Sequence, residues 1–177
     1  MTIKKSPVAL LLGAIILSLL FILLVMHFKD NTSQQNTISL VLLNDNLEVE
    51  DIQFSMLEEE VIQRWGEGEY IHGFGGHGRE YLEKGIRVSF PGDPDNDLFG
   101  TVGSLEFSNA AYSIFTIRVG DSTESGYEKL KSHGFVITDY SEDTYSSGEF
   151  TIALRGDGQI ENIQIWFEDK DLKDRNY

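Results

Sequence analysis

The octapeptide GTVGSLEF at residues 100–107 sets a pattern that GQIENIQI at residues 158–165 repeats. In both stretches a glycine is followed, at the same spacings, by three apolar residues, and the last two of these flank a polar residue. Alternation with a period of two is typical of a strand that buries one face. The recurrence of one spacing at two places predicts a domain that contains two copies of one unit.

A second strand pattern precedes each copy of the octapeptide. Apolar residues occupy every second position of residues 86–90 and of residues 150–154, which indicates half-buried strands. The connection to the octapeptide is long in the first copy, PGDPDNDLFG at residues 91–100, and tight in the second, RGDG at residues 155–158. Both connections are typical of antiparallel hairpins.

A helix pattern precedes each pair of strands. Residues 55–65 begin with Ser55 in the position of an N-cap, and their apolar residues form one stripe that ends at a tryptophan. Residues 122–133 begin with Ser122 and carry a weaker stripe, interrupted by Gly126, which costs about 1 kcal/mol relative to alanine. Packing against the sheet must therefore hold the second helix.

These patterns predict an α+β domain at residues 38–167, with both helices on one face of an antiparallel sheet. Repeat 1 covers about 47–110 and repeat 2 about 114–167. The apolar run ISLVLL at residues 38–43 ends at an Asn-Asp-Asn turn, which predicts a buried strand. Residues 168–177 form a charged tail.

The order of these patterns, a serine-capped helix, a glycine, a variable loop and two glycine-led strands, occurs twice between residues 52 and 167. This order resembles the β-lactamase-inhibitor-protein-like group and the related small outer-membrane lipoprotein modules. The resemblance implies that the face of the sheet without helices is free to bind another protein. The chain departs from the lipoprotein branch because it has no cysteine to carry a lipid. It also has no recognisable inhibitory loop.

A long apolar stretch, VALLLGAIILSLLFILLVM, occupies residues 8–26. As a helix it reaches about 29 Å, close to the ~30 Å hydrocarbon core of a bilayer. The alternatives are a cleavable signal peptide, whose apolar region is shorter and ends in a small-x-small site, and a buried core helix. The stretch predicts an anchor at residues 8–28 that contacts the lipid bilayer through residues 8–26.

Basic residues set the expected orientation of this anchor. Lys4 and Lys5 precede the apolar stretch, whereas Lys29 and Asp30 follow it and nearly cancel. The positive-inside rule therefore predicts a cytoplasmic tail at residues 1–7 and an extracytoplasmic remainder. Residues 29–37 are polar and form a short stalk. The chain is expected to be a single-pass protein of a bacterial cell membrane.

Composition excludes several function classes. The sequence has 29 acidic against 14 basic residues, a net charge of −15, and three of the lysines lie before Asp30. A domain this acidic is repelled by nucleic-acid phosphates, so we expect no nucleic-acid partner. The absence of cysteine excludes disulfides and thiol chemistry. There is no Gly-x-Ser-x-Gly motif and no convincing Ser, His and Asp set, so we expect no enzyme activity.

Three alternating carboxylates, Asp93, Asp95 and Asp97, resemble the start of a calcium loop. An EF-hand requires glycine at its sixth position and glutamate at its twelfth, where this chain has Leu98 and Ser104. A solvated acidic hairpin and a weak extracellular-type calcium site are the two interpretations.

Two histidines, His72 and His77, occur in a glycine-rich stretch that we expect to be an irregular loop. A zinc site needs three or four ligands, and His133 is the only other histidine after the anchor. No cofactor is expected, apart from the weak possibility of calcium.

The last predicted strand supplies the candidate partner-binding residues. If its isoleucines face the helices, Gln164 and Trp166 point to the opposite face, as does Glu106 in the matching strand. An exposed tryptophan among acidic side chains favours a basic protein partner. The expected function is a membrane-anchored, extracytoplasmic protein-binding module without catalytic activity. A calcium-dependent envelope protein that uses residues 93–97 is the alternative.

Overall fold

The computed structural model describes residues 37–73, 75–139 and 141–169. The predicted anchor, whose apolar segment covers residues 8–26, lies outside these ranges. The predicted cytoplasmic tail, nearly all of the stalk and the residues from 170 onward also lie outside them. Within the described ranges, no helix is long and apolar enough to cross a membrane.

The described residues form three groups of elements. The helices are α1 (Leu40–Asp45), α2 (Glu58–Trp65) and α3 (Thr123–Ser132), and a 3₁₀ turn covers Leu82–Lys84. The strands of the first half are β1 (Leu47–Glu48), β2 (Glu69–Gly73), β3 (Gly76–Tyr81), β4 (Ile86–Pro91) and β5 (Ser104–Phe107). Those of the second half are β6 (Ser113–Ile114), β7 (Val136–Thr138), β8 (Ser141–Ser147), β9 (Phe150–Arg155) and β10 (Asn162–Phe167).

One antiparallel sheet dominates the fold, with its eight strands in the order β2-β3-β4-β5-β10-β9-β8-β7. The four strands that follow α2 make up one half of this sheet, and the four that follow α3 make up the other. Strands β5 and β10, which contain the second half of the repeated octapeptide, are neighbours at the centre. The prediction of an α+β domain with an antiparallel sheet is confirmed.

The hydrophobic core lies against one face of this sheet. The strand register places Val88 opposite Leu105, Leu105 opposite Ile165, and Ile165 opposite Ile152. All four side chains are 0% exposed, so one continuous apolar row crosses the four central strands. The alternation predicted for β4, β5 and β10 is therefore confirmed, and it fixes which face of each of these strands is buried. Strand β9 differs from the prediction of a half-buried strand, because Thr151 and Ala153 on its other face are buried as well.

The start of each long helix contacts the segment that leads into a central strand, in the same way in both halves. Leu57, the residue before α2, bridges to Thr101, and Ser122, the residue before α3, bridges to Gln159. Thr101 and Gln159 each directly follow the glycine of the repeated pattern, and the two glycines have φ angles of +67° and +76°. Only glycine adopts this conformation without strain, which explains why the pattern begins with it.

The strand predicted at residues 38–43 is wrong, because these residues lie at the start of helix α1. The Ser39 hydroxyl accepts a hydrogen bond from the Leu42 N–H at 3.2 Å, and the Asn46 side chain donates to the Leu42 carbonyl at 2.9 Å. Local side-chain caps thus satisfy the backbone at both helix ends. Val41 is 69% exposed, so the apolar run is not buried along its length.

The first predicted helix is confirmed, but its cap is not. Ser55 has a φ of +68° and lies outside α2, and the Glu60 carboxylate accepts the Leu57 N–H instead, at 3.1 Å. Trp65, the last residue of the predicted apolar stripe, is partly buried, and its ring packs edge-on against Tyr81 with 5.1 Å between centroids.

The second predicted helix and its Ser122 cap are both confirmed, since the Ser122 hydroxyl accepts the Ser125 N–H at 3.2 Å. A Cβ atom on the buried Gly126 would lie 2.8 Å from Leu154 Cδ1 and 2.9 Å from Ile160 Cδ1. The glycine that weakens this helix locally therefore permits its close approach to the core.

Candidate binding face

The face of the eight-stranded sheet opposite the core is called the open face below. Its residues on β4, β5 and β10 are partly exposed, whereas Thr151 and Ala153 on β9 are buried. Its two central rows follow from the strand register. Arg87 pairs with Glu106, which pairs with Gln164, and Ser89 pairs with Ser104, which pairs with Trp166. The structure thus places the three sequence-predicted contact residues, Glu106, Gln164 and Trp166, on the same face, at the two adjacent central strands.

Trp166 is the large aromatic side chain of these two rows. It is half-buried, and its indole N–H donates to a Glu168 carboxylate oxygen at 2.9 Å, which restrains the ring. Two other roles are open for Trp166, to cover a sheet edge or to pack under the tail that begins at residue 168. The first does not fit, because β10 lies between β5 and β9. The hydrogen bond to Glu168 brings the ring against the first residue of the tail, as the second requires. A restrained aromatic ring loses little entropy when a partner binds to it.

A groove of about 370 Å³ runs beside this ring and is called the Trp166 groove. Its walls include Ile71, Gly78, Ser89, Ser104 and Trp166. Its volume lies within the range of about 300 to 1,000 Å³ of ligand-sized sites. Small side chains on the neighbouring strands leave the space that the groove occupies.

An ion-pair group lies next to this groove. The Arg87 guanidinium lies 3.1 Å from a Glu80 carboxylate oxygen and 3.5 Å from one of Glu106. The Arg87 Nε is buried and has no hydrogen-bond partner among the described residues. Glu106, expected to attract a basic partner, is therefore already partly neutralised within the chain. Sequence reasoning missed Arg87, although its place between the buried Ile86 and Val88 gives the signal.

The glycine-rich stretch around His72 and His77 is a β-hairpin, so the expectation of an irregular loop is wrong. Strands β2 and β3 pair His72 directly with His77. A Cβ on Gly76 would lie 2.3 Å from the Phe90 carbonyl oxygen, so the glycines allow close strand packing. The His77 ring also stacks on Phe90 at 5.3 Å, and His133 packs on Phe115 elsewhere.

A polar cluster that the sequence did not predict joins α2 to β3. Glu58 accepts hydrogen bonds from Arg79 Nε at 2.7 Å and lies 2.8 Å from His77 Nε2. Burial acts to raise the pKa of Glu58, but the hydrogen bonds and charges of His77 and Arg79 outweigh it and lower the pKa. The cluster is therefore a structural tie between helix and sheet.

The three aspartates considered for calcium lie in the loop between β4 and β5. Asp95 donates its N–H to the Asp93 carboxylate at 3.0 Å, which is a local turn, and the Asp97 N–H donates to Asp169 at 3.0 Å. Across residues 37–73, 75–139 and 141–169, no group of three or more His, Asp or Glu side chains is arranged to hold a metal ion.

Comparisons with known proteins give no family. No protein-family model matches the chain, and no curated protein matches it either. Among solved structures, an extracellular protein containing an SCP domain from Bacillus anthracis str. Ames is 11% identical, with a TM-score of 0.47 over 66% of this chain. The chain spans 44% of that protein. A DUF4309 family protein (YjgB) from Bacillus subtilis subsp. subtilis str. 168 is 11% identical, with a TM-score of 0.36, over 63% of this chain and 78% of that one.

Proposed function

We propose that this chain is a membrane-anchored, extracytoplasmic module that binds another protein through its open face and performs no catalysis. The observation that carries the proposal is the half-buried Trp166 at the centre of that face, beside the Trp166 groove. Aromatic residues at the centre of a surface are the commonest binding hot spots. The groove next to the ring provides space for a partner side chain.

The location outside the cytoplasm is proposed from the sequence. The apolar segment at residues 8–26 has the length of a membrane span, and Lys4 and Lys5 favour a cytoplasmic N-terminus. The segment is also proposed to stay attached as the anchor, because no small-x-small cleavage site ends it.

We also propose that residues 47–167 are a tandem duplication of a helix-then-strands unit. The equivalent helix-start contacts of Leu57 and Ser122 support this proposal, as does the central pairing of β5 with β10. The same order supports the resemblance to the β-lactamase-inhibitor-protein-like group, which implies a free sheet face that binds a protein.

The proposed partner is basic. The chain carries a net charge of −15, and exposed acidic side chains attract an oppositely charged protein during encounter. Such attraction is screened beyond about 8 Å at physiological ionic strength, so the association rate is expected to fall as salt is added. Affinity would come mainly from the aromatic contact.

A crosslinking pull-down with the full chain in its membrane tests this proposal. Trp166→Ala is expected to remain folded and to weaken capture of the partner by about 2 kcal/mol, as loss of a hot spot does. Phe99→Ala is the matched control, because Phe99 is 50% exposed in the loop between β4 and β5. Unchanged capture by Trp166→Ala, or an equal loss in both variants, would contradict the open-face proposal.

The calcium-dependent alternative stays a prediction. A calorimetric titration of the full chain with calcium separates it from the main proposal. Saturable heat that disappears in Asp93→Asn would support it, because Asp93 is the first carboxylate of the loop. Heat that persists in this variant, or no heat, would count against a site at residues 93–97.

A further inference from the structure

A second groove lies on the other side of the sheet, between helix α3 and the hairpin of β7 and β8. Its volume is about 650 Å³, and we call it the α3 groove. The side chains that matter for its chemistry are Glu124, Tyr127, Ile137, Glu142, Tyr145 and Leu154. We propose that the α3 groove binds a long cationic side chain, an arginine or lysine, presented by a basic peptide segment of a partner protein.

The floor of the α3 groove is apolar and aromatic. The Tyr127 and Tyr145 rings stack with 5.2 Å between their centroids, and Leu154 is buried below them. Ile137 is 48% exposed at the rim, which leaves apolar area in contact with water. This surface matches the methylene stem of a lysine or arginine, which buries its carbon chain while its charge stays near the surface.

The charges around this floor are negative. Glu124, Glu142 and Asp143 line the groove, and no lysine, arginine or histidine of the described part of the chain does. Asp143 is ion-paired with Arg155, whereas neither Glu124 nor Glu142 makes an ion pair within the described ranges. Cations of the chain also lie near the groove. Arg155 is bound to Asp143, and the Lys131 Nζ lies 5.7 Å from the Tyr127 ring centroid. The groove therefore has two carboxylates available to a cation.

Charge complementarity decides which occupant fits. An acidic ligand would meet the groove carboxylates, and a second copy of this chain would bring a further net charge of −15. A side chain with an apolar stem and a cationic head matches both parts of the groove, since the stem contacts the apolar floor and the head contacts the carboxylates. Arginine is the better match, because its planar guanidinium offers donors to two carboxylates at once.

NMR titration of the full chain in a neutral detergent tests the proposal with defined probes. The probes are acetyl-Gly-Arg-Gly-amide and the same peptide with norleucine in place of arginine. The arginine probe is expected to shift the amide signals of α3 and β8 saturably, with a dissociation constant of about 1 mM. The norleucine probe, which keeps an apolar stem but carries no charge, is expected to bind at least about fivefold more weakly.

Paired variants separate the groove from the general acidity of the chain. Glu124→Gln with Glu142→Gln is expected to weaken arginine-probe binding about fivefold or more, since each exposed ion pair contributes modestly. Glu59→Gln with Glu83→Gln removes the same charge at two exposed residues elsewhere and is expected to change binding less than about twofold. Ile137→Ser, at an exposed position, is expected to weaken both probes.

Several results would overturn the proposal. Equal weakening by the two double variants would show that net charge alone attracts the probe. Signal changes confined to the open face, or no saturation by about 10 mM, would show that the α3 groove binds no cation. Trp166→Ala should leave arginine-probe binding intact, so failure of the open-face proposal and failure of this one are distinguishable.

Discussion

The contacts of Glu58 with strand β3 lead to a prediction about stability that the sequence alone does not give. Glu58 holds Arg79, whose side chain is 12% exposed, and also His77. In Glu58→Gln the amide cannot serve both partners as a charged acceptor, and the guanidinium stays mostly buried. Hydrogen bonds to charged groups contribute about 1.5 to 3 kcal/mol each, and Glu67 still pairs with Arg79. We therefore expect a loss of about 2 kcal/mol in the free energy of unfolding at pH 7.

Urea unfolding of the full chain in a neutral detergent, followed by tryptophan fluorescence, measures this loss. Trp65 lies at the end of α2, so its emission reports on the helix that Glu58 ties to the sheet. Glu59→Gln is the control, because Glu59 is the exposed neighbour on the same helix. Its unfolding free energy should stay within about 0.5 kcal/mol of the unmodified protein.

The effect of Glu58 should depend on pH in one direction. Its pKa is lowered in the folded state, so the stability it contributes is fully present above the pKa of the unfolded chain, about 4.3. That contribution is lost as the pH falls through the lower folded pKa. The difference between the unmodified protein and Glu58→Gln should therefore shrink as the pH falls below about pH 4. A difference that is the same at every pH, or a variant as stable as the control, would refute the reasoning.

Three further predictions follow from other parts of the molecule. Trp65→Ala should lower the free energy of unfolding by about 2 to 3 kcal/mol. This is less than the loss of a fully buried tryptophan, because Trp65 is only partly buried against Tyr81. A melting temperature within a degree or two of the parent's would contradict this prediction. Gly126→Ala should destabilise the protein instead of giving the gain of about 1 kcal/mol expected from helix propensity. The reason is that the added Cβ would overlap buried side chains. A urea midpoint above the parent's would show that these side chains move aside at little cost. A reporter enzyme that works only outside the cytoplasm, fused after Tyr177, should be active; activity of a cytoplasm-only reporter there would reverse the proposed orientation.

Local patterns predicted α2, α3 and the four central strands, β4, β5, β9 and β10, because these patterns record local physics. Alternation in residues 86–90 indicates a strand with one buried face, and Ser122 marks a helix start. Alternation in residues 150–154 correctly indicated a strand, but both faces of that strand are buried. The same logic failed at residues 38–43, where an apolar run of six fits a buried strand or a short helix equally well. The side chains of Ser39 and Asn46 cap the two ends of this segment and stabilise the helix.

The candidate binding residues were predictable only in part. Period-two alternation placed Glu106, Gln164 and Trp166 on the face away from the core, which is a local property of each strand. It gave no information about Arg87, whose guanidinium reaches Glu106 across the β4–β5 register. Pairing between side chains 19 residues apart depends on that register, which no local pattern fixes.

The sequence by itself determined the apolar stretch at residues 8–26, the acidic composition and the repeated glycine-led strands, because each is a property of consecutive residues. Only the tertiary structure decided that β5 lies beside β10, that Glu58 binds Arg79, and that Gly126 lies against Leu154. These contacts join residues that are 21 or more positions apart. They exist because burial of one apolar face brings distant strands together, and the energy of that burial depends on the whole chain.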